Sequence, residues 1–230
     1  MKKHVSATLL LTLPLQAFAH LTWIDSGKQS IGLSTGHNFP AKEITVKGEY
    51  VDFIQCKGEQ RGVFQLAFNK DSMRYSFPEK PQNCLARLKT SLIELTPAQG
   101  VQHFQENKVK QDLIDKAKAV PVFREEYFKL AQLAPVEIGS ALYRPELAQF
   151  VYKPGEPDTL YVYQSDQPVA GLPVGLEYPE TPITLWSNTD TDGKVKLLMK
   201  PRSKALLRTL VVEDGDPFKS QFLSVILEPR

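Results

Sequence analysis

Apolar and polar residues alternate along several short runs of this chain, and residues that turn the backbone separate the runs. "EITVKGEYVDFI" (43–54), "GVFQLAF" (62–68) and "CLARLKTSLIEL" (84–95) carry β-branched and aromatic side chains, partly at every second position. That is the period of a strand with one face buried. "GKQS", "NKDS" and "PEKPQN" fall between or beside these runs and supply Gly, Pro, Asn and Asp where a chain must reverse. The period changes between about 97 and 134. In "TPAQGVQHFQENKVKQDLIDKAKA", Thr96 is a cap candidate and Pro97 suits a first helical turn. Val101, Phe104, Leu113, Ile114 and Ala117 then fall roughly on one face. "VFREEYFKLAQL" (122–133) repeats the pattern through Phe123, Tyr127 and Leu130, with Pro135 as its stop. These two segments are predicted as surface helices packed on a β body.

From about 145 the strand signals return. "TLYVYQSDQPVAGLPVGLEY" (159–178) reads as two strands around a Pro/Gly corner, and "ITLWSNTDTDGKVKLLM" (183–199) as a hairpin turning at Asp192-Gly193. "ALLRTLVVED" and "QFLSVILE" complete the set. Short strands with regular turns favour a β-sandwich. The expected fold is therefore mainly β, a sandwich body with a short two-helix insertion. The expected organisation is a β region over 20–135, its helices at about 97–134, and a sandwich over 136–230.

Residues 1–19 have a different character. Lys2 and Lys3 precede an apolar run from Val5 to Leu15, and Ala17-Phe18-Ala19 fits the small-x-small cleavage pattern of a secretory signal. The run is too short to hold in a bilayer as an anchor, and no later segment reaches the roughly 18 apolar residues of a membrane helix. The expected product is a periplasmic chain beginning at His20. Loss of Lys2 and Lys3 leaves 26 basic residues against 26 acidic ones, so the formal net charge of +2 falls to 0. A neutral chain has no electrostatic case for nucleic acid or an anionic membrane as its main partner. The chain's two cysteines, Cys56 and Cys84, are expected to pair in an oxidising compartment. Closing a loop of about 28 residues contributes about 3.5 kcal/mol in the loop-entropy account.

Cleavage at Ala19 gives His20 a chemistry that an internal histidine lacks. Its free amine and its own ring Nδ1 chelate one ion together, and a second imidazole completes a T-shaped histidine brace. His37, in "STGHNFP" (34–40), is the expected partner, because a hairpin through "TWID", "SGKQS" and "IGLSTGH" returns the chain to its start. Amine and imidazole nitrogens favour copper, the strongest binder among the divalent first-row ions. Both must lose protons to bind, so affinity should weaken as pH falls below about 6. His103 and Asp25 are further candidate ligands. His103, however, is expected on the solvated side of its helix, and Asp25 before Ser26-Gly27 equally suits a turn.

"AHLTWIDSG" followed by "GHNFP" resembles the opening of an exported NikM-like family related to periplasmic components of nickel and cobalt uptake systems. "FREEYFKLAQL" (123–133) and "QPVAGLPVGL…TDTDGKVKLLM" (167–199) extend the likeness. The latter is similar to an immunoglobulin- or transthyretin-like sandwich module. The resemblance implies that His20 and His37 take the ligand positions. This chain departs from the family where histidine stands at the second or third mature residue, an arrangement that lets backbone nitrogens build a square-planar nickel site. Histidine first shifts the expectation from nickel or cobalt towards copper. The expected role is capture, buffering or delivery, with an envelope transporter or metal-accepting protein as partner and no bond chemistry. A metal-free envelope module is the rival reading. A copper-dependent oxidase is a lesser one, because no aromatic array for a flat substrate surface stands out.

Two other patterns point to turns and strands. "GLSTG" (32–36) fits the nucleophile elbow with Ser34 in place, yet no helical pattern follows it. "DTDG" (190–193) opens like a calcium loop but lacks its third ligand and its closing glutamate. Trp23 and Phe39 could flank the metal and shield it from water, but core packing is their expected role.

Overall fold

The computed structural model describes residues 21–197 and 201–229. The signal reading over 1–19, His20 and the end of the "KVKLLM" strand lie outside the described residues. The N-terminal strands are β1 (Leu21–Ser26), β2 (Ser30–Gly36), β3 (Ile44–Thr45), β4 (Val51–Lys57), β5 (Val63–Gln65), β6 (Ala67–Asn69), β7 (Arg74–Ser76), β8 (Asn83–Leu88) and β9 (Ser91–Leu95). Helices α1 (Pro97–Glu106) and α2 (Gln111–Ala119) follow, then β10 (Phe123–Gln132). The remaining strands are β11 (Val136–Glu137), β12 (Gln149–Tyr152), β13 (Tyr161–Gln164), β14 (Gln167–Pro168), β15 (Pro173–Tyr178), β16 (Thr181–Asn188), β17 (Ala205–Glu213) and β18 (Phe218–Leu227).

Strand alternation decides the layering. A nine-stranded sheet runs β16-β15-β17-β18-β10-β8-β4-β5, with β9 also paired to β10. On one face Leu85, Leu130, Val174, Leu207, Leu223 and Val225 pack with Phe150 and Val162. The last two belong to the four-stranded sheet β11-β12-β13-β14. Their sequence neighbours point the other way. Cys84, Ala86 and Ala131 meet Ile24, Ile31 and Leu33 of the five-stranded sheet built from β1, β2, β3, β6 and β7. Phe123, Leu210 and Phe218 meet Phe104, Leu113, Ile114 and Ala117 of the helices. The fold is thus mainly β, a sandwich with a two-helix insertion. Its large middle sheet carries a second sheet on one face, and on the other a hairpin sheet beside the helices.

The first predicted helix divides into α1 and α2. Thr96 caps α1 through a reciprocal pairing, its hydroxyl accepting from Gln99 N while the Gln99 side chain takes the Thr96 N–H. The second predicted helix is corrected: "FREEYFKLAQ" is strand β10. It pairs in parallel with β18 over Glu125–Gln132 and antiparallel with β8 and β9. The reason is burial on both faces, with Phe123, Leu130 and Ala131 each in a different core cluster. A strand covered on both sides loses the simple alternation that marks a half-buried one. The β10–β18 pairing also carries one hydrogen-bonded sheet across residue 135, without interruption between the two expected regions.

Cys56 and Cys84 are direct Cα partners on β4 and β8 and form a disulfide. Asp190 closes the "DTDG" stretch as a turn, its Oδ1 accepting from Asp192 N and Lys194 N at 3.0 Å each. Among the described residues no helix is long and apolar enough to cross a membrane.

Candidate functional site

β1 and β2 form the expected hairpin, in register from Ser26↔Ile31 to Leu21↔Gly36. Its open end is fixed to the middle sheet. Trp23 and Phe39 are 4 % and 5 % exposed and pack with Leu206 and Ile226, their rings edge-to-face at 5.6 Å. Ser224 Oγ donates to Thr22 O. Core packing is therefore the role of Trp23 and Phe39.

Gly36 lets the chain turn tightly after β2. A Cβ there would stand 2.4 Å from Ala41 O, so only glycine permits this approach. The chain reverses through Asn38–Ala41, where Ala41 N donates to Asn38 O, and β3 returns beside β2 with Thr35↔Ile44 in register. The reversal sets Glu43 against His37. The His37 backbone N–H donates to Glu43 Oε1 at 3.0 Å, and the ring Nδ1 lies 2.9 Å from both carboxylate oxygens. With Nδ1 protonated and donating to the carboxylate, the neutral ring carries its lone pair on Nε2. Ligating histidines are commonly oriented and made more basic by such a carboxylate. Sequence reasoning missed Glu43; the signal was an acid six residues beyond His37 across a proline-containing reversal.

An open depression of about 390 Å³ adjoins this corner, with Leu21 and His37 on one side and Glu106, Asn107, Trp186 and Arg208 on the other. Arg208 is tied down. Its Nε donates to Glu177 Oε1 at 2.6 Å, Nη1 donates to Asn107 Oδ1 at 3.2 Å, and its guanidinium stacks 4.7 Å from the Trp186 ring centre. The C-terminal end of α1, the negative end of its dipole, reaches the depression through Glu106 and Asn107. Glu106 and this helix end lean towards a cation, with Glu43 behind His37; Lys108, which also lines the depression, leans against one, and Arg208, held by Glu177, leans less against one than a lone arginine would.

The other candidate ligands lie elsewhere. Asp25 is four residues along β1 from Leu21, about 13 Å at strand rise. It accepts from Arg74 Nη1 at 3.0 Å, with Lys42 Nζ at 3.8 Å. The expected solvated position of His103 is corrected. It is 5 % exposed, 5.8 Å from both the Phe104 and Phe222 ring centres, with Nε2 3.1 Å from the buried Glu125 Oε2. α1 turns this face onto the sheet because Phe104 and Gly100 beside it are also buried. Ser34 is fully buried in the middle of β2, where the strand runs on and builds no nucleophile elbow. Among the described residues no group of three or more His, Cys, Asp or Glu side chains is gathered to hold a metal. His37 and Glu43 together offer one oriented imidazole. No protein-family model, curated protein or solved structure matches this chain.

Proposed function

We propose that this chain is a periplasmic metal-binding protein that holds copper through the amine and ring of an N-terminal His20 and the Nε2 of His37. Nickel or cobalt are the alternative ions. It captures, buffers or hands on the ion, with an envelope transporter or metal-accepting protein as partner. One observation carries the reading: Leu21, the residue after His20, pairs with Gly36, the residue before His37. The Glu43–Nδ1 contact supports it by fixing the tautomer that ligation at Nε2 requires. The disulfide fits an oxidising compartment.

The test is N-terminal mass spectrometry of the exported protein followed by copper titration. The expected result is a chain starting at His20 that binds one copper. Glu43→Gln should weaken binding by roughly 10- to 100-fold, as loss of a ligand-orienting carboxylate does. His37→Ala should weaken it further, and an extra alanine ahead of His20 should abolish chelation by the amine. A different N-terminus, or affinity indifferent to all three changes, sinks the proposal and leaves the metal-free envelope module.

A further inference from the structure

The depression beside His37 carries charges of both signs, and the metal reading uses only part of it. Glu106 and the end of α1 favour a bare cation there, whereas Lys108 and Arg208, which also line it, oppose one. Arg208 donates from Nε to Glu177 and from Nη1 to Asn107, and its Nη2 makes no hydrogen bond to a described residue. Asn107 donates in turn from Nδ2 to His103 O at 3.0 Å, which ties the guanidinium to the last turn of α1. Lys108 follows directly, with φ at 56° and its N–H donating to Gln105 O at 3.1 Å. Glycine is the relaxed choice for such a left-handed position after a helix. The lysine found there is exposed and makes no ion pair with a described residue.

Room and ligand count point the same way. On the copper reading, on which this inference rests, His20 and His37 give the ion three nitrogens. Copper(II) prefers a tetragonal set, and among the described residues no group of three or more His, Cys, Asp or Glu side chains stands ready to complete it. The depression's volume of about 390 Å³ is more than ten times the roughly 30 Å³ share of one water. We propose that the chain takes its ion together with a small α-amino carboxylate. The amine and carboxylate complete the coordination, while Arg208 Nη2 and Lys108 hold the carboxylate. A bare divalent ion meets two repelling cations at this site; the same ion bearing a carboxylate gives each of them an acceptor. Hydrogen bonds between a guanidinium and a carboxylate are among the stronger ones. Glu106, which accepts from Gln102 Nε2 at 2.8 Å, offsets the charge left on the ion.

The experiment is calorimetric titration of the exported chain, loaded with copper, with glycine, glycinamide and acetate, followed by native mass spectrometry. Glycine should bind saturably and give a species holding one chain, one copper and one glycine. Glycinamide lacks the carboxylate and acetate lacks the amine, so each should bind roughly tenfold more weakly or worse. Arg208→Gln should weaken glycine binding by roughly tenfold, and Lys108→Gly by about threefold. The lysine variant relaxes the backbone at a left-handed position, so a folding defect in the arginine variant does not end the test. It should also bind copper alone more tightly, because a repelling charge is gone; a merely structural lysine would move both affinities in the same direction. Glycine that strips the copper or fails to bind, glycinamide or acetate equal to glycine, or glycine binding undiminished in both variants overturns this inference and leaves the metal reading standing. A chain that binds no copper with or without glycine overturns both.

Discussion

At the scale of single residues, environment decides what each titratable group does. Lys129 sits in a sheet centre where water is scarce, and desolvation of the ammonium lowers its pKa to about 8. The unfolded chain, with lysine near 10.4, therefore binds more protons than the folded one between those values. Stability must rise with pH in that window. Tyrosine limits the range, because burial and the hydrogen bond to Asp166 hold Tyr143 up to about 12. Above pH 10 unfolding releases protons from such groups and stability falls. Urea unfolding of the ligand-free chain should give a midpoint that climbs from pH 8 to 9.5 in the parent and stays level in Lys129→Met. Equal slopes in the two proteins would remove Lys129 as the cause. At this scale the sequence was partly legible. His37 stands out in "STGHNFP", but Glu43 is visible only once Gly36 and the β3 return bring it back. His103 looked solvated because the apolar surface that covers it belongs to β10 and β18.

At the scale of elements, β10 illustrates where periodicity misleads. Phe123, Tyr127 and Leu130 fit a helical stripe, yet the segment pairs with three strands. Partners on each side and cover on both faces outweigh a local pattern. The strands β4, β17 and β18 were readable, because runs with β-branched residues bounded by turns need little tertiary context. α1 was legible for its cap. Less legible was Gly100, a glycine inside a helix where propensity alone disfavours it by about 1 kcal/mol relative to alanine. Its reason is contact: a Cβ there would stand 2.2 Å from Phe123 Cγ. Phe123 has no room to yield, being fully buried, edge-to-face with Phe104 and stacked on Phe218. Gly100→Ala should therefore destabilise the chain by about 1–3 kcal/mol through overpacking, despite its better helix propensity. A thermal melt several degrees below the parent is expected; an unchanged or higher midpoint would refute the packing account.

At the scale of the whole molecule, the mainly β class was legible but the partnership of its halves was not. A parallel pairing between 125–132 and 218–225 leaves no mark in either segment alone, since register is set by the faces both must bury. That pairing has a physical consequence for any division near residue 135. β18 lies between β17 and β10, so a chain of residues 136–229 would present β18 as a long unpaired edge. It would also lose Leu85 and Leu130 from the cluster that holds Phe150, Val162 and Val225, and Phe104 and Phe123 from the one that holds Leu210 and Phe218. Residues 20–135 would in turn keep α1 and α2 without β17 and β18 beneath them. An exposed apolar edge favours association over folding. Residues 136–229 expressed alone should give a poorly dispersed amide spectrum and no cooperative melt, while the two pieces refolded together should recover both. A cooperative transition in the isolated C-terminal piece would mean that β18 does not need β10, and that residue 135 does separate two bodies.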